Sequence, residues 1–126
     1  MTLSALLLTL ALGGPTLNVT VAAPPGLSFS ALTPSTVSVV VGDREQVAAL
    51  RGVPDPTAPE AYTRLLPARL TLPADARGPA TVRLRLFLCD KTRGLCTVQE
   101  QVRRVTLTPG RPLTVAFTPT QNRWRP

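Results

Sequence analysis

The residues of this chain best suited to chemistry are its two cysteines, Cys89 and Cys96, which are the only ones it has. Six residues separate them, including Lys91 and Gly94. A disulfide with a reachable sulfur can exchange with the thiolate of a partner protein. The same bond can also serve only to brace the fold. The spacing alone leaves both interpretations open.

The sequence on either side of the cysteines predicts two strands that would hold them opposite each other. In the first strand, apolar residues at positions 82, 84, 86 and 88 alternate with residues 83, 85, 87 and 89. A polar segment that contains a glycine follows, and beyond it apolar residues recur at positions 98, 102, 105 and 107. Such period-2 alternation around a short polar loop is typical of a β-hairpin. A hairpin over residues 80–107 brings Cys89 and Cys96 within range of a disulfide.

Composition favours strands and excludes most kinds of active site. The 126 residues suffice for one domain with its own core, and 14 prolines and 8 glycines favour short strands joined by turns. The chain has no histidine, which removes histidine general bases and histidine-ligated metals, and two cysteines cannot complete a structural zinc site. We therefore expect no metal, no cofactor and no small-molecule substrate.

The net charge of +7 raises the question of nucleic-acid binding. The arginines are scattered along the chain rather than clustered, and few aromatic residues are available to stack on bases. We expect the arginines to occupy the solvent-facing sides of strands, and we expect no nucleic-acid partner.

Turn signals at intervals of about ten residues predict an antiparallel β-sandwich of about seven to nine short strands. The hairpin apart, the expected strands cover residues 16–22, 27–31, 36–41, 46–50, 69–73 and 112–118. The proline-rich stretch 52–68 is expected to be a long irregular loop, a length that is uncommon unless the loop has a function. The tail 121–126 is expected to fray.

The apolar run at residues 3–12 is too short to span a bilayer and is typical of the hydrophobic region of a signal peptide. Small residues at Ala11 and Gly13 suit cleavage after Gly13, although no basic residue precedes the run. The alternative is that this segment forms the first strand. We expect residues 1–13 to be a signal segment, residues 14–126 to be the domain, and the protein to be secreted or periplasmic, where disulfides persist.

Three stretches resemble a known family. Residues 17–39, with their Pro-Pro-Gly turn, look like the opening of the immunoglobulin-like N-terminal domain of the DsbD thiol–disulfide interchange protein, and equally like the related terminal domain of NHL-repeat, thioredoxin-containing proteins. Residues 82–96 are similar to the strand, cysteine, polar loop and second cysteine of both relatives. A weaker similarity lies at residues 69–73, after a stretch that holds Glu60 and Tyr62.

This resemblance implies an immunoglobulin-like sandwich in which Cys89 and Cys96 relay reducing equivalents by thiol–disulfide exchange. It implies a thioredoxin-like or membrane thiol-transfer protein as electron donor and an oxidised extracytoplasmic protein as acceptor. It also implies that the 52–68 stretch caps the cysteine pair, with Tyr62 as the direct cover and Glu60 beside it. Phe87 shares a strand face with Cys89 and is a candidate for the lining of the site. The competing interpretation is a non-catalytic binding or structural domain with an inert disulfide.

Overall fold

The computed structural model describes residues 14–120, so the expected signal segment 1–13 and the expected frayed tail 121–126 lie outside the described residues. Within that range the chain forms ten strands and no helix. The strands make two sheets, which confirms the predicted all-β, immunoglobulin-like sandwich. The strands are β1 (Thr16–Val21), β2 (Leu27–Ser30), β3 (Thr36–Val41), β4 (Arg44–Ala49), β5 (Gly52–Asp55), β6 (Ala58–Leu65), β7 (Ala68–Thr71), β8 (Gly78–Asp90), β9 (Leu95–Leu107) and β10 (Pro112–Phe117).

The smaller sheet has three strands in the order β10-β1-β7. Its central strand β1 runs parallel to β10 and antiparallel to β7. Alternation along β1 and β10 turns Leu17, Val19, Val115 and Phe117 inward, where each is buried. This sheet therefore supplies one wall of the core.

The larger sheet is organised around the long strand β8. One edge of β8 pairs with β9 along its whole length, from Gly78 opposite Leu107 to Asp90 opposite Leu95. The other edge pairs first with β3 and then with β2, which lie end to end along it. The break between β2 and β3 is bridged by Ser35, whose Oγ accepts the N–H of Phe87 at 3.1 Å. β4 extends the sheet beside β3, and β6 and β5 extend it beside β2.

The core lies between the two sheets and is built on the alternation that the sequence predicts for β8. Ala80, Val82, Leu84, Leu86 and Leu88 are all buried, and full burial of each valine or leucine stabilises the fold by about 1.5–3 kcal/mol. The residues between them therefore face outward, and Cys89 belongs to this outward set.

The prediction of an irregular loop at residues 52–68 is wrong. This stretch contains β5 and β6, a hairpin with bulges at Pro54, and then β7 begins at Ala68. Strand β5 is an outer strand of the larger sheet, and proline is tolerated there because an edge N–H needs no partner. Of the prolines that suggested a loop, Pro54 lies on this edge strand and Pro59 lies in β6.

Candidate functional site

Cys89 and Cys96 form a disulfide between directly opposed residues of β8 and β9. Their sulfurs are 2.05 Å apart and their Cα atoms 4.0 Å apart. A Cα separation this small identifies the narrow kind of antiparallel pair, in which the two residues do not hydrogen-bond to each other. The bond thus joins two strands that the backbone ladder already holds together.

The turn beyond the cysteines has its own local hydrogen bonds. The Asp90 carboxylate accepts the backbone N–H groups of Thr92 at 2.9 Å and Arg93 at 3.2 Å. The Gly94 N–H donates to the Asp90 carbonyl at 2.8 Å, and Gly94 has φ of 68°, a left-handed conformation that glycine adopts without strain. The geometry of the hairpin end therefore has support that does not depend on the sulfur–sulfur bond.

The disulfide opens onto a shallow groove on the outer face of the larger sheet. The groove has a volume of about 250 Å³, and its lining includes both cysteines with Ser30, Thr33, Phe87 and Val98. Phe87 lies opposite Val98, which is 41% exposed, and the Arg85 guanidinium lies 5.4 Å from the centre of the Phe87 ring. The structure therefore places Phe87, a residue singled out from the sequence, beside the sulfurs.

The two sulfurs differ in accessibility. Cys96 is exposed, whereas Cys89 is half-buried. Cys89 lies opposite Ser28 of β2, which is only 5% exposed, so the side of Cys89 away from its partner is occupied by protein. On the far side of Cys96 lies the second edge of β9, and no strand of the described chain pairs with that edge.

Glu60 and Tyr62, the residues expected to cap the cysteines, lie elsewhere. Tyr62 of β6 is opposite Phe29 of β2, and Phe29 in turn is opposite Leu88 of β8. Because directly opposed residues share a face, Tyr62 is on the inner side of the sheet, where it packs against the core. Glu60 is exposed on β6, where its carbonyl accepts the N–H of Ala31. Neither residue lines the groove.

Lys91, the first residue of the turn, is paired with an acid from the β5–β6 hairpin. Its Nζ lies 3.4 Å from an Asp55 carboxylate oxygen. Hydrogen bonds from the Thr57 N–H and hydroxyl, and then the Lys91 ammonium, hold the pKa of Asp55 below its ordinary value. The positive charge of Lys91, which would favour a thiolate nearby, is thus compensated by Asp55, a residue that only the fold brings to this end of the sheet.

A larger crevice of about 900 Å³ lies near the opposite end of β8, where its lining includes Val41, Leu72 and Pro79. Pro79 and Cys89 are ten positions apart along β8, which corresponds to about 33 Å of extended strand. Its rim carries Arg44 and Asp75, which already satisfy each other through two hydrogen bonds of 2.9 and 3.0 Å. Size alone does not make this crevice a site of thiol chemistry, because no cysteine, serine or threonine lines it.

Ser28, Ser30, Thr33 and Val98 belong to the site but were not singled out from the sequence. The three β2-side residues come near Cys89 only because β2 pairs with the end of β8, and no local pattern signals that pairing. Val98 was part of the alternation that predicted β9, but its outward direction depends on which face the second sheet covers. No family model matches the chain, and no curated protein is significantly similar to it.

Proposed function

We propose that this chain exchanges its Cys89–Cys96 disulfide with the thiols of a partner protein in an extracytoplasmic compartment. The observation that carries the proposal is the exposure of Cys96 at an edge of the sheet, in a disulfide that joins strands already paired by a continuous ladder. A bond placed there adds little to the topology of the fold, so the hairpin can retain its shape when the bond opens.

The geometry favours attack on the sulfur of Cys96. A thiolate approaches a disulfide along the sulfur–sulfur axis, from the side opposite the leaving sulfur, and access decides which sulfur is attacked. Approach to Cys96 comes from the open side of β9, whereas approach to Cys89 meets β2 at Ser28. Cys96 is therefore the attacked residue and Cys89 the leaving one.

The exchange consumes two thiols of the partner. The first partner thiolate forms a bond to Cys96 Sγ, the Cys89–Cys96 bond breaks, and its electron pair leaves on Cys89 Sγ, which takes up a proton. A second partner thiolate then attacks the partner's own sulfur and releases Cys96 as a thiolate. The partner is oxidised to a disulfide, and this chain is reduced to two thiols that can reduce an oxidised acceptor in turn.

The partner that fits this chemistry is a thioredoxin-like protein or a membrane thiol-transfer protein, with an oxidised extracytoplasmic protein as acceptor. The resemblance of residues 17–39 and 82–96 to the DsbD N-terminal domain supports this choice. The disulfide itself supports an extracytoplasmic location, because disulfides persist outside the reducing cytosol.

Trapping the mixed disulfide tests the proposal. The oxidised native chain is mixed with a reduced thioredoxin whose resolving cysteine is replaced by serine, and peptide mass spectrometry locates the new bond. We expect thioredoxin on Cys96 in a chain that remains folded. The variant with Cys89→Ser and Cys96→Ser is the control and should trap nothing. A chain that stays oxidised and unlinked would instead support an inert disulfide.

The groove wall gives a second test. Phe87 and Val98 form an apolar surface beside the sulfurs, and such a surface can contact a protein partner but gives a small thiol little to bind. We expect Phe87→Ala to slow exchange with thioredoxin while leaving the rate with dithiothreitol unchanged. Val47→Ala is the matched control, since Val47 is 58% exposed on β4, away from the groove. Equal slowing with both reductants would contradict a role for Phe87 in partner contact.

A further inference from the structure

The outer edge of β9 is a long strand edge that pairs with no strand of the described chain, although Thr118 and Thr120, which follow β10, hydrogen-bond to the Gln101 and Gln99 side chains of β9. β9 spans thirteen residues, and β8 is the only strand in the described range that pairs with it. It contains no proline, and two of its outward-facing apolar side chains, Val98 and Val102, are 41% and 52% exposed. A strand edge of this kind is a template for pairing with another chain.

The cysteine pair fixes which backbone groups point to that open edge. Cys96 belongs to a narrow pair with Cys89, so its N–H and C=O do not bond to β8. The β8–β9 register has no shift, and the two kinds of pair alternate along it. Val98, Glu100, Val102 and Arg104 therefore also direct their backbone groups away from β8. Their side chains share the outer face with Cys96.

These residues form a self-complementary pattern about Val102. In an antiparallel pairing of β9 with itself centred there, Val102 faces Val102 of the second copy and Glu100 faces Arg104 of the second copy. The outward backbone groups of the two copies then meet as hydrogen-bonded pairs, and opposite charges lie directly across from each other twice. Within the part of the chain that the structure describes, neither Glu100 nor Arg104 forms an ion pair, although Glu100 lies opposite Arg85 of β8.

We propose that two copies of this chain associate by antiparallel pairing of their β9 edges, with a two-fold axis at Val102. The larger sheets of the two copies join into one continuous sheet. Each copy carries a net charge of +7, but at physiological ionic strength charges farther apart than about 8 Å are largely screened, so the direct Glu100–Arg104 contacts outweigh the general repulsion. The paired segment ends near Val98, which leaves Cys96 outside it.

Charge reversal tests the register. Sedimentation velocity is measured on the oxidised full chain over a range of concentrations, and we expect a monomer–dimer equilibrium. Either Glu100→Arg or Arg104→Glu places like charges opposite each other at two symmetric positions, which should weaken the dimer about thirtyfold. The double variant restores opposite charges and should restore the dimer. Glu45→Arg, on β4, makes the same charge change as Glu100→Arg at a distant place and should have no effect.

A backbone variant tests the edge itself. Val102→Pro removes an N–H that points away from β8, so the β8–β9 ladder keeps its hydrogen bonds while the two-fold pair loses two. We expect loss of the dimer with the thermal midpoint of the monomer nearly unchanged. A native chain that is monomeric at every concentration would overturn the proposal. So would a dimer that both single reversals leave intact, or one that the double reversal fails to restore. None of these outcomes depends on whether the disulfide exchanges.

Discussion

Removal of the disulfide should weaken the fold by a modest and calculable amount. The bond joins residues with a sequence separation of 7, so it closes a loop of eight residues. On the chain-entropy model, a loop of that length stabilises the native state by about 2.5 kcal/mol at 25 °C. For a domain of this size that corresponds to a fall of about 10 °C in thermal midpoint. Because domains are typically stable by about 5–15 kcal/mol, the sandwich should stay folded.

The assay is urea unfolding of the native chain and of the variant with Cys89→Ser and Cys96→Ser, followed by circular dichroism. We expect the same cooperative transition at a lower urea midpoint, and the same spectrum before unfolding. The native chain measured in dithiothreitol should match the double-serine variant. If either reduced form has lost its sandwich spectrum without urea, the ladder and the turn do not hold the hairpin, and the reasoning that permits exchange is refuted.

Three further substitutions test the elements that position the site. Ser35→Ala deprives the Phe87 N–H of its acceptor at the break between β2 and β3, and should lower the free energy of unfolding by about 1–3 kcal/mol. The comparison variant Ser30→Ala, at the end of β2, removes only the solvent-exposed acceptor of the Thr33 N–H and should cost less. Gly94→Ala places a side chain at φ of 68° and should cost about 1–2 kcal/mol by the same urea assay. Because the pKa of Asp55 is lowered in the folded chain, the contribution of its carboxylate to stability is complete above the ordinary value of 3.8 and is lost as pH falls through the folded-state pKa. Thermal midpoints measured from about pH 5 to about pH 2 should therefore fall more steeply for the native chain than for Asp55→Asn.

The hairpin that carries the two cysteines was predictable because its determinants are local. Alternation from Val82 to Leu88 and from Val98 to Leu107 identifies both strands, and the polar segment around Gly94 identifies the turn between them. Once two strands are joined by a short turn, the partner of Cys89 follows from counting residues. The structure places Cys96 directly opposite.

The surroundings of the disulfide depend on pairings between distant segments, which the sequence does not reveal. Tyr62 was expected to cover the sulfurs, but the pairing of β6 with β2 puts it opposite Phe29 and therefore on the inner face. Prolines at positions 54 and 59 obscured the hairpin that carries Tyr62, since proline marks both loops and edge strands. The difference in exposure between Cys89 and Cys96 likewise follows from β2 lying on only one side of the pair.

The most direct test of the central claim is the equilibrium between this disulfide and the thioredoxin couple, whose potential is about −270 mV. The oxidised chain is incubated with thioredoxin at defined ratios of reduced to oxidised thioredoxin. The mixture is quenched with acid and alkylated, and mass spectrometry measures the fraction of the chain in which Cys89 and Cys96 are reduced. We predict that electrons pass to Cys89 and Cys96, giving a potential above that of thioredoxin. A pair that stays oxidised below about −300 mV, with no mixed disulfide at Cys96, would contradict the account.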